Sequence, residues 1–179
     1  MKDKLYKRAK AFMCVMIIVS VVFGGVRSLT AKQNDALEEY YSAEGQSAGL
    51  AADKITSNAR NLQSVAGRYI EGEKEYKALA KANEEFLESD GIREESECIY
   101  ALMEKAEAVY EHLAGCELSA QDETYRKELY YNIKSYYSVL AHAEYNGTAA
   151  EFNEIIKKLP ANAFAAISGI RELPVFEVE

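Results

Sequence analysis

The chain has no Trp, 2 Pro, 2 His and 3 Cys among its 179 residues, and only 10 Gly. Both prolines, Pro160 and Pro174, fall in the last twenty residues, so more than 150 residues run without a helix breaker of that kind. A β-sandwich or barrel needs many tight turns, and the turn-forming residues for them are missing. Two His and three scattered Cys are too few for a zinc, haem or iron–sulfur centre. Cys98 and Cys116 stand eighteen residues apart in one helical pattern, about 27 Å on a straight helix, far beyond disulfide reach. Cys14 lies in an apolar run. The expectation is three free thiols acting as small apolar residues. Catalytic constellations are equally scarce. Gly45-Gln46-Ser47-Ala48-Gly49 fits the Gly-x-Ser-x-Gly spacing, and His112 and His142 lie downstream, but no strand precedes the Ser to present it, so the segment reads as a break between helices. A di-iron bundle needs Glu three residues before His; Val109 and Val139 stand there. No enzyme, metal or cofactor is expected.

What is present is helix-forming and unevenly charged. Apolar residues make up 49% and charged residues 28%, enough for one domain with a small appendage. The formal net charge is −8; residues 1–32 carry seven bases and one acid, or +6, which leaves −14 for residues 33–179. So acidic a domain repels phosphate backbones and anionic lipid alike, and nucleic acid is not an expected partner.

The basic stretch, residues 1–10, leads into the uncharged run Ala11–Val26. Sixteen helical residues span about 24 Å, slightly short of a bilayer core of about 30 Å. Tyr6 can sit in the headgroup layer, and Lys7, Lys10 and Arg27 can snorkel to cover the shortfall. A cleaved signal peptide is the competing reading, but cutting after Gly24 or Gly25 puts Val22 or Phe23 where a small residue belongs. Residues 11–27 therefore read as an uncleaved transmembrane signal anchor. Five bases precede the run and only Arg27 and Lys32 follow closely, so the positive-inside rule puts residues 1–10 in the cytoplasm and exports residues 28–179.

The exported part reads as all-α: an antiparallel four-helix bundle with long helices. Leu37, Tyr40 and Tyr41 continue the anchor helix, and Gly45 and Gly49 interrupt it. Leu50, Ile55, Leu62, Val65 and Tyr69 mark the next helix, which ends at Glu71-Gly72-Glu73. Further helices are predicted from Lys74 to Leu87, with a Glu- and Lys-rich solvated face, and from Arg93 to Leu113, separated by Ser89-Asp90-Gly91. Ser119, three residues before Asp122, is the N-cap signal for a last long helix. Leu129, Ile133, Tyr136 or Tyr137, and Leu140, then Tyr145, Ala149, Phe152, Ile156 and Leu159 form its seam, with Gly147 inside and Pro160 at its end. The apolar tail, Ala161 to Val178, is expected to pack back on the bundle.

Glu144 to Glu177 carries Tyr145-Asn146, Phe152-Asn153 seven residues on, Leu159-Pro160 seven further, then Gly169-Ile170 and Pro174-Val175-Phe176-Glu177. In this spacing the segment resembles the C-terminal part of the LemA family, whose members carry Tyr-Asn, Tyr-Asn, Phe-Pro, a Gly-apolar pair and Pro-x-Phe-Glu in the same order, behind an N-terminal anchor. Phe152 replaces the second Tyr and Leu159 the Phe before Pro, and Asn58-Ala59-Arg60-Asn61-Leu62 stands without the Pro of the family's first long helix, so the chain resembles a divergent bacterial relative. The resemblance implies a membrane-anchored helical bundle with no agreed activity. It also implies an envelope partner, since some relatives occur alongside proteins with a TPM domain. Tyr145, Asn146, Phe152, Asn153, Leu159, Pro160, Gly169, Pro174 and Phe176 are then the site residues, structural or partner-binding. Asn is a poor helix-interior residue, and Asn146 and Asn153, seven apart, share a face; the expectation is a buried amide bonded to a neighbouring helix. The function expected is interaction with another envelope protein, through an exposed helix face or Gly169–Glu177. The alternative is a sensor or receptor ectodomain holding a small ligand between helices, lined by Tyr and Asn.

Overall fold

The computed structural model describes residues 2–42 and 47–177. Among them are seven helices and no strand: α1 Lys2–Tyr41, α2 Ala48–Ala66, α3 Lys74–Glu88, α4 Ile92–Leu113, α5 Ala120–Ala141, α6 Glu144–Ile156 and α7 Ala161–Ser168. Gly45 and Gln46, part of the expected break after α1, lie outside the described residues, as does Val178. The break itself stands between Tyr41 and Ala48.

Each bundle helix begins or ends where its sequence supplies a partner for orphan backbone groups. Ser47 caps α2, its Oγ accepting the Leu50 amide at 3.3 Å. Ser47 is thus a helix cap, and among the described residues no strand precedes it. Ser89 closes α3 by donating to the Phe86 carbonyl, and Gly91 turns into α4 at φ +84°, a conformation only Gly adopts freely. At α5 the Ser119 Oγ accepts the Asp122 amide at 3.1 Å and donates to the Asp122 carboxylate at 3.0 Å.

Helices α2 to α5 form an up-down-up-down bundle. Arg68 past the end of α2 pairs with Asp122 at the start of α5, and His112 at the end of α4 faces Glu75 at the start of α3 at 3.3 Å. Both pairings join an end to a beginning, so the neighbours are antiparallel. Ile55, Ala59 and Leu62 of α2, Leu79 of α3, Ile99, Leu102, Ala106 and Val109 of α4, and Ile133 and Leu140 of α5 are wholly buried between them.

The single helix expected from Asp122 to Leu159 is instead two. It breaks at His142 and Ala143, where Ala143 is extended. The Asn146 side-chain amide donates to the Leu140 and Ala141 carbonyls at 2.8 and 3.0 Å, satisfying the end of α5 from outside its own ladder. The seam Tyr145, Ala149, Phe152, Ile156 still faces inward, but in a second layer built from α6, α7 and the outer half of α1. There the chain runs back along α1: Tyr145 meets Tyr40 edge-on at 5.1 Å, Thr148 donates to Glu39 at 2.6 Å, and the Phe164 ring lies against Gly25. Pro160 caps α7 after a cis Leu159–Pro160 bond, and Gly169 ends α7 at φ +73°.

At 40 residues α1 is about 60 Å long. Its section Tyr6–Tyr41 is long and apolar enough to cross a membrane, with mean hydropathy 2.2 in its most apolar window and none of that window buried. Leu29, Ala36 and Tyr40, beyond the window, are buried against the second layer.

Candidate functional site

The extended segment after α7 is held by side chains from four helices. Asn153 embraces one residue of it completely: its Nδ2 donates to the Leu173 carbonyl at 2.8 Å and its Oδ1 accepts the Leu173 amide at 2.7 Å. Two turns earlier on the same face, the Asn146 Oδ1 accepts the Phe176 amide at 2.8 Å. The Tyr145 hydroxyl donates to the Pro174 carbonyl at 2.7 Å, and Tyr137 of α5 to the Glu177 carbonyl at 2.9 Å. Arg93 at the start of α4 donates to the Glu172 carbonyl. An extended chain has unpaired amides and carbonyls, and burying it requires that they be met. Two Asn seven apart meet that need, Asn153 with both a donor and an acceptor and Asn146 with its acceptor.

Between these bonds the tail inserts Leu173, 6% exposed, and Phe176, 2% exposed. The Phe176 ring stands 6.3 to 6.4 Å from Tyr40, Tyr145 and Tyr100. Burial pushes the Tyr145 hydroxyl well above its ordinary titration range, so it remains a donor.

Of the nine residues of the motif, Tyr145, Asn146, Asn153, Pro174 and Phe176 therefore converge on this clasp. Phe152 fills the core beneath it. Leu159, Pro160 and Gly169 stand apart: Leu159 is 80% exposed, and the other two flank α7. The expected amide face is present, and its two Asn divide the work: Asn146 bonds the last carbonyls of the neighbouring helix α5 as well as the Phe176 amide of the tail, whereas Asn153 bonds the tail backbone at Leu173. Leu173 and Phe176, in the segment first expected to meet a partner, face the protein's own core. Arg93, Tyr40, Tyr100 and Tyr137 were not singled out by sequence; nothing in their spacing sets them apart among thirteen Tyr.

Phe176 ends the clasp beside a groove between α4 and α5. Tyr100, Met103, Glu107, Tyr130, Lys134 and Tyr137 line its volume of ≈ 600 Å³. Tyr130 stacks on Tyr110 at 4.2 Å and donates to Glu107 at 2.8 Å. The Arg126 guanidinium covers the other face of the stack, 4.3 Å above Tyr110. Burial and the Glu107 carboxylate both raise the Tyr130 hydroxyl above its usual range. Tyr131, 61% exposed and 6.3 Å from Tyr130, extends the aromatic surface outward.

A second, more open cleft of ≈ 910 Å³ lies between α1, α2, α5 and α6, with Asp35, Glu38, Glu39, His142 and Glu144 on its walls. Ser42 and Ser47 stand at its edge. Among the described residues no three His, Cys, Asp or Glu side chains are grouped to hold a metal ion. Compared with known proteins, the chain matches no family model, no curated protein and no solved structure.

Proposed function

We propose that this is a membrane-anchored helical-bundle protein of the bacterial cell envelope that acts by binding another envelope protein. Residues 11–27 cross the membrane with the N-terminus in the cytoplasm, and the bundle stands outside. The observation that carries the reading is the aromatic face of α4 and α5: a groove walled by Tyr100, Tyr130 and Tyr137, with Tyr131 exposed beside it. Tyrosines supply large contact area at low entropic cost and are enriched at protein interfaces. The clasp binds the tail internally, which leaves the α4–α5 face as the contact. The motif resemblance to the LemA family favours the same reading, and it is the ground for a TPM-domain protein as the first partner to test.

A photo-crosslinking side chain at Tyr131, in cells expressing the full chain, is expected to capture a membrane or envelope protein. The same probe at Lys81, on the solvated face of α3, is expected to capture none. Equal capture from both faces, or capture from Lys81 alone, would sink the proposed contact. Protease added to wall-stripped cells tests the topology: digestion of the bundle from outside supports export, and protection until lysis places the bundle in the cytoplasm. A second reading, a ligand-holding ectodomain, has one observation in its favour: the groove falls within the size of small-molecule sites, about 300–1,000 Å³. It predicts a ligand-dependent rise in melting temperature that Tyr130→Ala abolishes.

A further inference from the structure

Phe164 of α7 packs so closely on Gly25 that a Cβ there would overlap its ring. Gly25 belongs to the apolar run proposed to cross the membrane, so α7 is held at the height where that run leaves the bilayer. The side of α7 turned away from the protein is apolar. Ala163, Ala166 and Ile167 recur at helical spacing and are exposed, Ile167 at 66%, and Leu159 stands one turn earlier at 80%. In a soluble helix such residues would face a core.

The local charge also departs from the domain's. Residues 157–171 contain Lys157, Lys158 and Arg171 and no acid, although residues 33–179 carry −14 overall. Lys157 and Lys158 make only long, solvent-exposed pairs with Glu154 and Glu172, 3.7 to 4.0 Å, worth little in competition with a headgroup. Arg27 and Lys32 of α1 add two more bases beside the membrane exit.

We infer that α7 and the Leu159–Pro160 turn before it lie in the headgroup layer of the leaflet from which α1 emerges, with Leu159 and Ile167 inserted at the acyl boundary and the flanking Lys and Arg on the phosphates. The inference rests on the reading of residues 11–27 as a membrane span. An apolar stripe with basic flanks characterises interfacial helices, which sink about 5–10 Å. α7 is too short to bind a membrane unaided; its contact with Gly25 delivers it there. The bundle would then stand on two supports, the span and α7, and its tilt relative to the membrane would be fixed.

The absence of Trp makes the test direct. The full chain is reconstituted in mixed phosphatidylcholine–phosphatidylglycerol vesicles as single-Trp variants: Ile167→Trp in α7, Val19→Trp in the span and Tyr131→Trp on the bundle. Lipids brominated near the carbonyl or near the chain end quench Trp at their own depth. Ile167→Trp is expected to emit to the blue of Tyr131→Trp and to be quenched several-fold more by shallow than by deep bromine. Val19→Trp should show the opposite preference, and Tyr131→Trp none. If Ile167→Trp behaves like Tyr131→Trp while Val19→Trp is quenched, α7 stands clear of the lipid: the inference fails and the span survives. If Val19→Trp is not quenched, the span fails and takes the inference with it. Quenching of Tyr131→Trp as strong as that of Ile167→Trp would also overturn it, since the bundle side would then be the lipid face. Leu159→Trp gives an independent second reporter should the change at Ile167 disturb α7.

Discussion

At the scale of single residues, the Asn of the C-terminal region separate by what they bond. Asn153 is 8% exposed and pairs with both backbone groups of Leu173, whereas Asn132 is exposed and reaches Asn58 at 3.4 Å, too long for a strong bond. Asn153→Ala strands two buried polar groups at about 1–3 kcal/mol each. Its melting temperature should fall on the order of 5–10 °C. Asn132→Ala should stay within about 0.5 kcal/mol of the parent. Equal losses in thermal melts would mean that Asn153 acts through helix propensity and not through the clasp. The start of α5 gives a pH dependence. Hydrogen bonds from the Tyr69 and Ser119 hydroxyls and the charge of Arg68 hold Asp122 below the usual carboxylate range. Arg126 and Lys127 lower Glu123 to about 2. A carboxyl whose pKa is depressed by folding stabilises fully above its ordinary value, 4.5 for Glu, and loses that contribution as pH falls toward its folded value. The melting temperature should therefore decline from about pH 4.5 to about pH 2. Glu123→Gln should begin lower and decline less over that interval; parallel curves would refute the assignment.

At the scale of elements, sequence pattern places α2, α3 and α4 closely, because their apolar spacing agrees with the breakers Glu71-Gly72-Glu73 and Ser89-Asp90-Gly91. The join of α5 and α6 was misread, although its signal was present. The seam steps by three and four up to Leu140 and from Tyr145 onward, but the step between those two is five. Five residues turn a helix by about 140° beyond a full revolution, so a continuous helix would have carried Tyr145 off the bundle face. The structure breaks at His142–Ala143 and repoints the seam at α1. What spacing could not supply was the new partner, since the apolar run of α1 reads as a membrane segment alone, while its outer half doubles as a packing surface. Gly147, inside α6, offers a test of how firmly the separate helix is set. It is exposed, helical and not at positive φ, and a Cβ there would touch nothing within 4 Å. Gly147→Ala should therefore stabilise by about 0.5–1 kcal/mol, mainly by narrowing the unfolded ensemble. The melting temperature should rise by about 1–4 °C. A loss instead would show that α6 needs the flexibility of Gly to turn away from α5.

At the scale of the whole molecule, the two layers depend on the tail unequally. The core of α2 to α5, centred on Ile55, Leu62, Ile99, Leu102 and Ile133, is supplied by those four helices themselves. The second layer has no such independence: Tyr40 and Tyr145 are covered by Phe176, and both Asn of α6 have the tail backbone as a partner. Sequence alone made the tail an apolar segment returning to the bundle; that it is the central strut of a separate layer follows from extended backbone groups that no periodicity reveals. Deletion of residues 170–179 separates the layers. Removing Leu173 and Phe176 exposes apolar surface worth about 1.5–3 kcal/mol for each side chain and frees four amide and hydroxyl anchors at once. Local opening then costs less than global unfolding, so the two should decouple. In the membrane-reconstituted full chain, hydrogen exchange should be slow in α2, α4, α5, α6 and the outer half of α1. In the truncated chain it should become fast in α6, α7 and residues 29–41, yet stay slow in α2 and α4. Tyr131 faces away from the tail on the retained bundle, so crosslinking from it should survive the deletion. Loss of protection throughout would show a single cooperative unit, with the clasp as its keystone. Loss of the Tyr131 crosslink with α2 and α4 still protected would return the partner contact to the tail itself.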